Sequence, residues 1–155
     1  MVFTFIGFMI LGEVTMNYFI FGGSGFIGTH LIKLIKQECL KENDRIYDLD
    51  IVMPGEEGVV PGVVEKMEGV EYIRLDVRKE ITFDFKPTED DIIFNLAAVH
   101  RTPGHPDEAY FETNILGAEN VTAFADRYGI KKILFTSSIA PYGAAEELKT
   151  EETIP

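Results

Sequence analysis

The sequence contains little cysteine, little histidine and few basic residues. A single cysteine, Cys39, excludes an internal disulfide and is typical of a reducing compartment such as the cytoplasm. Three histidines without paired cysteines argue against a Cys/His zinc site, so we expect no metal. The 14 Lys and Arg residues against 26 Asp and Glu residues give a net charge of −12. This charge argues against nucleic acid as a partner, because phosphate recognition needs a basic face.

The sequence also lacks an apolar run as long as a membrane-spanning helix. Residues 1–15 carry one charge, Glu13, but a transmembrane helix needs about 20 apolar residues. A secretory signal begins with Lys or Arg residues, and the first of these here is Lys33. We therefore interpret residues 1–15 as an extension outside the fold, residues 16–155 as one domain, and expect no membrane association. A short interfacial anchor is the alternative for the extension, although it would lack the usual cationic face.

The composition is that of a globular protein with several strands. Hydrophobic residues make up 46% of the 155 residues, which is enough for one domain with a substantial core. Short apolar runs rich in β-branched and aromatic residues predict strands, because such residues suit a buried sheet. The predicted strands cover residues 16–21, 45–52, 70–77, 91–99 and 131–138.

Helical periodicity separates the predicted strands. After the first strand, four residues recur at helical spacing, and they are Ile27, Leu31, Ile35 and Cys39. This helix should end at residues 43–44, and a second, long helix should cover residues 107–128. Strands that alternate with helices predict a parallel α/β sheet covered on both faces.

A glycine pattern lies between the first strand and the first helix. Gly22, Gly25 and Gly28 follow the spacing G-x-x-G-x-x-G. In a dinucleotide site, the first glycine permits the tight turn, the second lets the backbone approach the pyrophosphate, and the third permits close helix–strand packing. The pyrophosphate would then lie at the positive end of the helix that begins near Ile27. A strand–turn–helix without a ligand is the alternative.

A carboxylate follows the glycines at the distance that a dinucleotide site requires. Asp50 ends the second strand roughly 20 residues later, where it would bind the adenosine ribose. A carboxylate repels a 2′-phosphate, so Asp50 favours NAD over NADP. Asp48 lies on the same strand face and is a second candidate, although we favour a solvated or capping role for it. Together these features predict NAD binding by a Rossmann-type, doubly wound parallel sheet.

Four later segments narrow the interpretation to one family. They read LDVR (residues 75–78), NLAA (95–98), NILGAEN (114–120) and TSSIAPYG (136–143). With the glycine loop, and across residues 16–155, they resemble the NAD-dependent epimerase/dehydratase group of the extended short-chain dehydrogenase/reductase family. The resemblance implies a nucleotide-sugar epimerase or dehydratase, in which a hydride leaves a sugar carbon for NAD and then returns or assists elimination.

The resemblance also implies roles for individual residues. The backbone of Phe26 and Ile27 would face the pyrophosphate, and Ser138 would be a catalytic residue that hydrogen-bonds the reacting sugar hydroxyl. The other implied cofactor contacts are Asp76, Val77, Leu96, Ala97, Ala98, His100, Thr113 and Asn114. His100 stands where some relatives have a lysine near the cofactor ribose, so a loop histidine without a ligand role is the alternative there.

One part of the family pattern is missing after the fifth strand. Family members carry a Tyr-x-x-x-Lys pair there, but four residues after Tyr142 stands Glu146. The resemblance therefore implies the cofactor-binding portion of a longer enzyme, truncated before the substrate-binding part and inactive alone. A nucleotide sugar would be the substrate of the complete enzyme, and a homodimer is open. Two alternatives remain: an NAD(P)-dependent sugar or hydroxysteroid dehydrogenase, and a non-catalytic dinucleotide-binding module.

Overall fold

The computed structural model describes residues 15–56, 66–100, 105–138, 142, 149–150 and 152–153. Of the predicted extension, residues 1–14 therefore lie outside the described residues. The strands are Asn17–Phe21 (β1), Arg45–Asp50 (β2), Val70–Arg74 (β3), Ile92–Asn95 (β4) and Lys132–Phe135 (β5). The helical elements are Phe26–Glu38 (α1), Asp107–Phe111 (α2), the π-helical turn Glu112–Leu116 and Gly117–Tyr128 (α3).

The five strands form one parallel sheet in the order β3-β2-β1-β4-β5. The strand predictions are confirmed, although each strand is shorter than its apolar run. The chain crosses from β2 and β3 on one side of β1 to β4 and β5 on the other. This order is that of a doubly wound Rossmann-type sheet, as predicted.

Strand β1 lies at the centre of the sheet and is buried on both faces. Ile20 packs in one apolar cluster with Ile32 and Ile35 of α1. Phe19 packs in a second cluster, where its ring meets that of Phe124 of α3 edge-on with centroids 5.5 Å apart. Because successive side chains of a strand point to opposite faces, α1 and α3 cover the two faces of the sheet.

Helix α1 differs from the prediction in its end and in its buried face. It ends at Glu38, and in the turn that follows the Asp44 carboxylate accepts the backbone N–H of Lys41. The same carboxylate accepts the N–H of Met16, directly before β1. Its buried residues are Gly28, Thr29, Ile32 and Ile35. Ile27, which the periodicity places on the inner face, is 60% exposed.

The long helix predicted over residues 107–128 is present but contains a π-helical turn. Helix α2 leads directly into the turn Glu112–Leu116, and α3 follows without a break. Such turns insert one extra residue and occur frequently at functional sites. None of the helices in the described ranges is long and apolar enough to cross a bilayer.

Candidate functional site

The strand order creates a crevice at the carboxyl ends of β1 and β4. Their following connections lead to helices on opposite faces of the sheet, which is where open α/β sheets bind ligands. A cavity of about 630 Å³ opens at this point. The predicted cofactor residues that line it are Gly22, Gly25, Phe26, Ile27, Gly28, Asp50, Asp76, Val77, Leu96, Ala97, Ala98, His100 and Thr113. The fold therefore brings 13 of the 14 predicted residues to one cavity, and the fourteenth, Asn114, is not among its lining residues.

Two of the motif glycines are required by packing within the protein. Gly22 has a φ of +80°, and a Cβ atom there would lie 2.8 Å from the backbone nitrogen of Ala97. A Cβ atom on Gly28 would lie 2.5 Å from the Cα atom of Gly23. These glycines let the loop after β1 pack closely against the segment after β4 and against α1.

Gly25 has a different reason to be glycine. Its φ of −72° and ψ of 175° suit any residue, and a Cβ atom would meet only the Gly22 carbonyl oxygen, at 3.3 Å. That contact is tight, so a side chain here would need a small shift of the loop, and Gly25 also lines the cavity at the start of α1. The first turn of α1 contains no acidic residue, and Gly25 has no side chain to cap it. The positive end of α1 is therefore open to an anionic ligand at the cavity wall.

Asp50 lines the cavity and is tied to the glycine loop. One carboxylate oxygen accepts the Ser24 backbone N–H at 3.1 Å, and the other accepts the Val52 N–H at 3.2 Å. Burial raises the pKa of Asp50, and these backbone hydrogen bonds oppose the rise. The bonds fix the orientation of a carboxylate that lines the cavity, so it can accept further hydrogen bonds from ligand hydroxyls.

The solvated role predicted for Asp48 is wrong. Its side chain is 1% exposed, and it accepts the Ser24 hydroxyl hydrogen bond at 3.0 Å. Side chains two residues apart on a strand point to the same face, so Asp48 and Asp50 share a face of β2. Asp48 lies two residues further from the end of β2, beneath the glycine loop. Asp50 lines the cavity, so it is the carboxylate that a ribose would meet.

A third carboxylate, Asp76, lies at another wall of the cavity. It accepts hydrogen bonds from Nε and Nη2 of Arg78, each at 2.9 Å, and from the Arg78 backbone N–H at 3.0 Å. The Arg78 guanidinium holds the pKa of Asp76 below its usual range. Arg78 also lines the cavity and was missed by the sequence reasoning, although an Asp-x-Arg spacing after a strand is the signal that could have found it.

Asn114 supports the cavity wall instead of lining it. It lies in the π-helical turn, where its Oδ1 atom accepts the Val99 N–H and its Nδ2 atom donates to the Val99 carbonyl, both at 2.8 Å. The amide thereby replaces a strand partner for the backbone that follows β4. The segment that carries Ala97 and Ala98 is held in place by this pair of bonds.

Ser138 is exposed and lies three residues beyond the end of β5. It is not among the residues that line the cavity. The polar residues that follow β4 and line the cavity are His100, His105 and Thr113, of which His105 was not predicted. The catalytic role of Ser138 therefore stays a prediction.

Comparison with protein families gives one match that covers nearly the whole chain. The family model described as "NAD dependent epimerase/dehydratase family" matches residues 18–155. The matched range contains the glycine loop, the two carboxylates of β2 and the segments that line the cavity.

Individual relatives point to the same group of proteins. The chain is 31% identical over 131 residues to an N-acetyl-alpha-D-glucosaminyl-diphospho-ditrans,octacis-undecaprenol 4-epimerase of Escherichia coli O157:H7, covering 82% of this chain and 34% of that protein. It is 24% identical over 148 residues to a decarboxylating sterol-4-alpha-carboxylate 3-dehydrogenase of Candida albicans, covering 94% and 41%. The structure of UDP-glucose 4-epimerase from Thermus thermophilus in complex with NAD aligns with a TM-score of 0.66 and 27% identity, covering 88% and 43%. The chain thus spans less than half the length of each of these relatives.

Proposed function

Because the chain belongs to the NAD-dependent epimerase/dehydratase family, we propose that it is the NAD-binding part of a nucleotide-sugar epimerase or dehydratase. The observation that carries this proposal is Gly25. The packing of the protein restricts this position less than it restricts Gly22 and Gly28, because a Cβ atom would meet one backbone oxygen at 3.3 Å, and Gly25 lines the cavity at the positive end of α1. An approaching pyrophosphate is a further reason for the missing side chain, since its oxygens would need this space.

The remaining cavity residues would hold the rest of the dinucleotide. Asp50 would accept hydrogen bonds from the adenosine ribose, and Asp76 with Val77 would border the adenine. The small side chains of Ala97 and Ala98 would allow the nicotinamide half to pass close to the backbone. When bound, NAD would accept a hydride from a sugar carbon. The residues of this chain would bind the cofactor, orient it and exclude water from it.

NAD is the preferred cofactor under this proposal. The Asp50 carboxylate, held by the Ser24 and Val52 N–H groups, would repel the 2′-phosphate of NADP. The solved relative from Thermus thermophilus contains NAD, which supports the same choice.

Catalysis in the whole protein would need more than the described cavity. We propose that Ser138 hydrogen-bonds the sugar hydroxyl from the carboxyl end of β5. The sequence after Ser138 contains no Tyr-x-x-x-Lys pair to take up the hydroxyl proton, so we expect the 155-residue chain alone to be inactive. We further propose that the protein works in the cytoplasm on a nucleotide sugar. A homodimer stays open.

A net dehydrogenase is the second candidate function. It is favoured by the similarity to the sterol dehydrogenase of Candida albicans, which covers 94% of this chain. The two functions differ in the fate of the hydride, because an epimerase returns it to the sugar whereas a dehydrogenase releases NADH. Absorbance at the NADH band during turnover by the whole protein distinguishes them.

The proposed cofactor site is tested by titrating the chain with NAD and NADP in a calorimeter. We expect NAD to bind at least tenfold more tightly than NADP. The Asp50→Asn variant should bind NAD about tenfold more weakly, because a hydrogen bond to a charged group contributes about 1.5–3 kcal/mol. It should also discriminate less against NADP, since the repelling charge is gone.

The matched control is Glu71→Gln, which removes the same charge from the sheet. Glu71 lies on β3, 4.0 Å from Arg45 and half exposed, and it does not line the cavity. It should leave both affinities unchanged. Unaltered NAD affinity in Asp50→Asn, or no binding of either coenzyme to the folded chain, would contradict the proposed function.

A further inference from the structure

A buried carboxyl lies directly beneath the glycine loop. Asp48 points from the middle of β2 towards Gly23, where a Cβ atom would overlap the Asp48 carboxyl. Gly23 is not one of the three glycines of the dinucleotide spacing. The contact with Asp48 explains why a glycine is needed at this additional position.

The hydrogen bonds of Asp48 join it to the loop and to the second carboxylate. The Ser24 hydroxyl donates to one oxygen of Asp48 at 3.0 Å, while the Ser24 N–H donates to Asp50 at 3.1 Å. The other oxygen of Asp48 is buried and has no hydrogen-bond partner among the described residues. Ionised Asp48 would therefore leave half of its charge unsolvated, which strongly disfavours that form.

Among the described residues, the charges that face Asp48 give it no compensation. On its own strand, the charged neighbour is the Asp50 carboxylate. On β3, its register partner is Tyr72, whose ring has the Lys66 ammonium 5.8 Å from its centroid. The paired residue of β1 is Ile20, and the buried residues of α1 are uncharged. Burial raises the pKa of Asp48 to about 7, and the negative charge of Asp50 adds to this rise. The hydrogen bonds from Ser24 oppose it.

We propose that Asp48 is a positioning residue that holds the glycine loop for NAD in its neutral, protonated form, so that NAD binding takes up a proton. This inference rests on the proposed function, because it assumes that the pyrophosphate lies on the loop. Two phosphate charges above Asp48 would disfavour its ionised form further. By linkage, the affinity for NAD then falls as the pH rises and Asp48 loses its proton.

The test measures the dissociation constant of NAD from about pH 6 to about pH 9 in the chain and in Asp48→Asn. We expect the affinity of the unmodified chain to fall about tenfold for each unit by which binding raises the pKa of Asp48. Asparagine resembles the protonated acid in shape and cannot ionise, so the variant should keep the affinity seen at about pH 6 across the range, apart from any change due to His100 and His105. These two histidines line the cavity in both proteins, so the difference between the proteins isolates Asp48.

A second readout needs no variant. Calorimetric titrations at about pH 7.5 in buffers of different ionisation enthalpy report the number of protons taken up with NAD. We expect a measurable uptake in the unmodified chain and a smaller one in Asp48→Asn. Equal pH profiles and equal uptake in the two proteins would overturn the inference but leave the proposed function intact. Absence of NAD binding at every pH would instead overturn the proposed function.

Discussion

Replacing Gly25 by valine is expected to abolish measurable NAD binding while the chain stays folded. The backbone of Gly25 is extended, so valine can adopt its conformation, and the Gly22 carbonyl oxygen, 3.3 Å from the added Cβ atom, would need to shift by a few tenths of an ångström. The two methyl groups would instead occupy the space at the start of α1 that a pyrophosphate needs. We expect a loss of affinity of at least about a hundredfold, or about 2.7 kcal/mol.

Two comparison variants make the result for Gly25 specific. Ala123→Val adds similar bulk to an exposed position of α3 and should bind NAD normally. Gly28→Ala should behave differently from Gly25→Val, because its Cβ atom would lie 2.5 Å from the Gly23 backbone and would disturb the loop itself. Calorimetry gives the affinities, and thermal unfolding shows which variants stay folded. NAD binding by folded Gly25→Val with unchanged affinity would show that the pyrophosphate is held elsewhere.

The second large effect concerns the stability of the chain without any ligand. The pKa of Asp48 is raised from 3.8 to about 7 in the folded state. Between these values the folded chain keeps a proton that the unfolded chain has lost, so stability falls as the pH rises. Below about 3.8 both states are protonated, and above about 7 both are ionised, so the effect is confined to this window.

Asp48→Asn removes the effect, and the comparison of the two proteins measures it. Only below about pH 3.8, where both states of the unmodified chain are protonated, should asparagine mimic the acid in both states. Between about pH 5 and about pH 8 the stability of the unmodified chain should fall relative to that of the variant by about 3 kcal/mol, from about 1.4 kcal/mol for each unit between pH 5 and the pKa. Urea unfolding followed by circular dichroism at the two pH values gives this difference. A constant difference would mean that Asp48 does not titrate within this range.

The sheet and the glycine loop could be predicted because their signals are local. Five apolar runs correspond to the five strands, and Gly22 and Asp50 each stand at the end of a strand. In a parallel sheet the carboxyl ends of all strands lie at one edge, so residues at these ends are expected to face the same crevice. For the same reason, 13 of the 14 predicted cofactor residues lie around one cavity.

The misses have a common physical cause, which is a specific packing contact or hydrogen bond that the apolar period does not signal. Gly28 packs against the glycine loop, whereas the neighbouring Ile27 is exposed. The apolar period therefore predicts the wrong buried face for α1. The bonds of Asn114 to Val99 depend on a π-helical turn that no sequence pattern signals. The burial of Asp48 depends on a hydroxyl from Ser24, which lies 24 residues earlier.

The central claim is that the loop from Gly22 to Gly28 holds the pyrophosphate of NAD at the start of α1. Backbone amide NMR of the 155-residue chain during titration with NAD tests it most directly, because each N–H group reports its own surroundings. We expect the largest shifts at Gly22, Gly25 and Phe26, with further shifts at Ala97 and Ala98. Saturable binding that leaves these amides unmoved, or an unchanged spectrum of the folded chain at saturating NAD, would contradict the account.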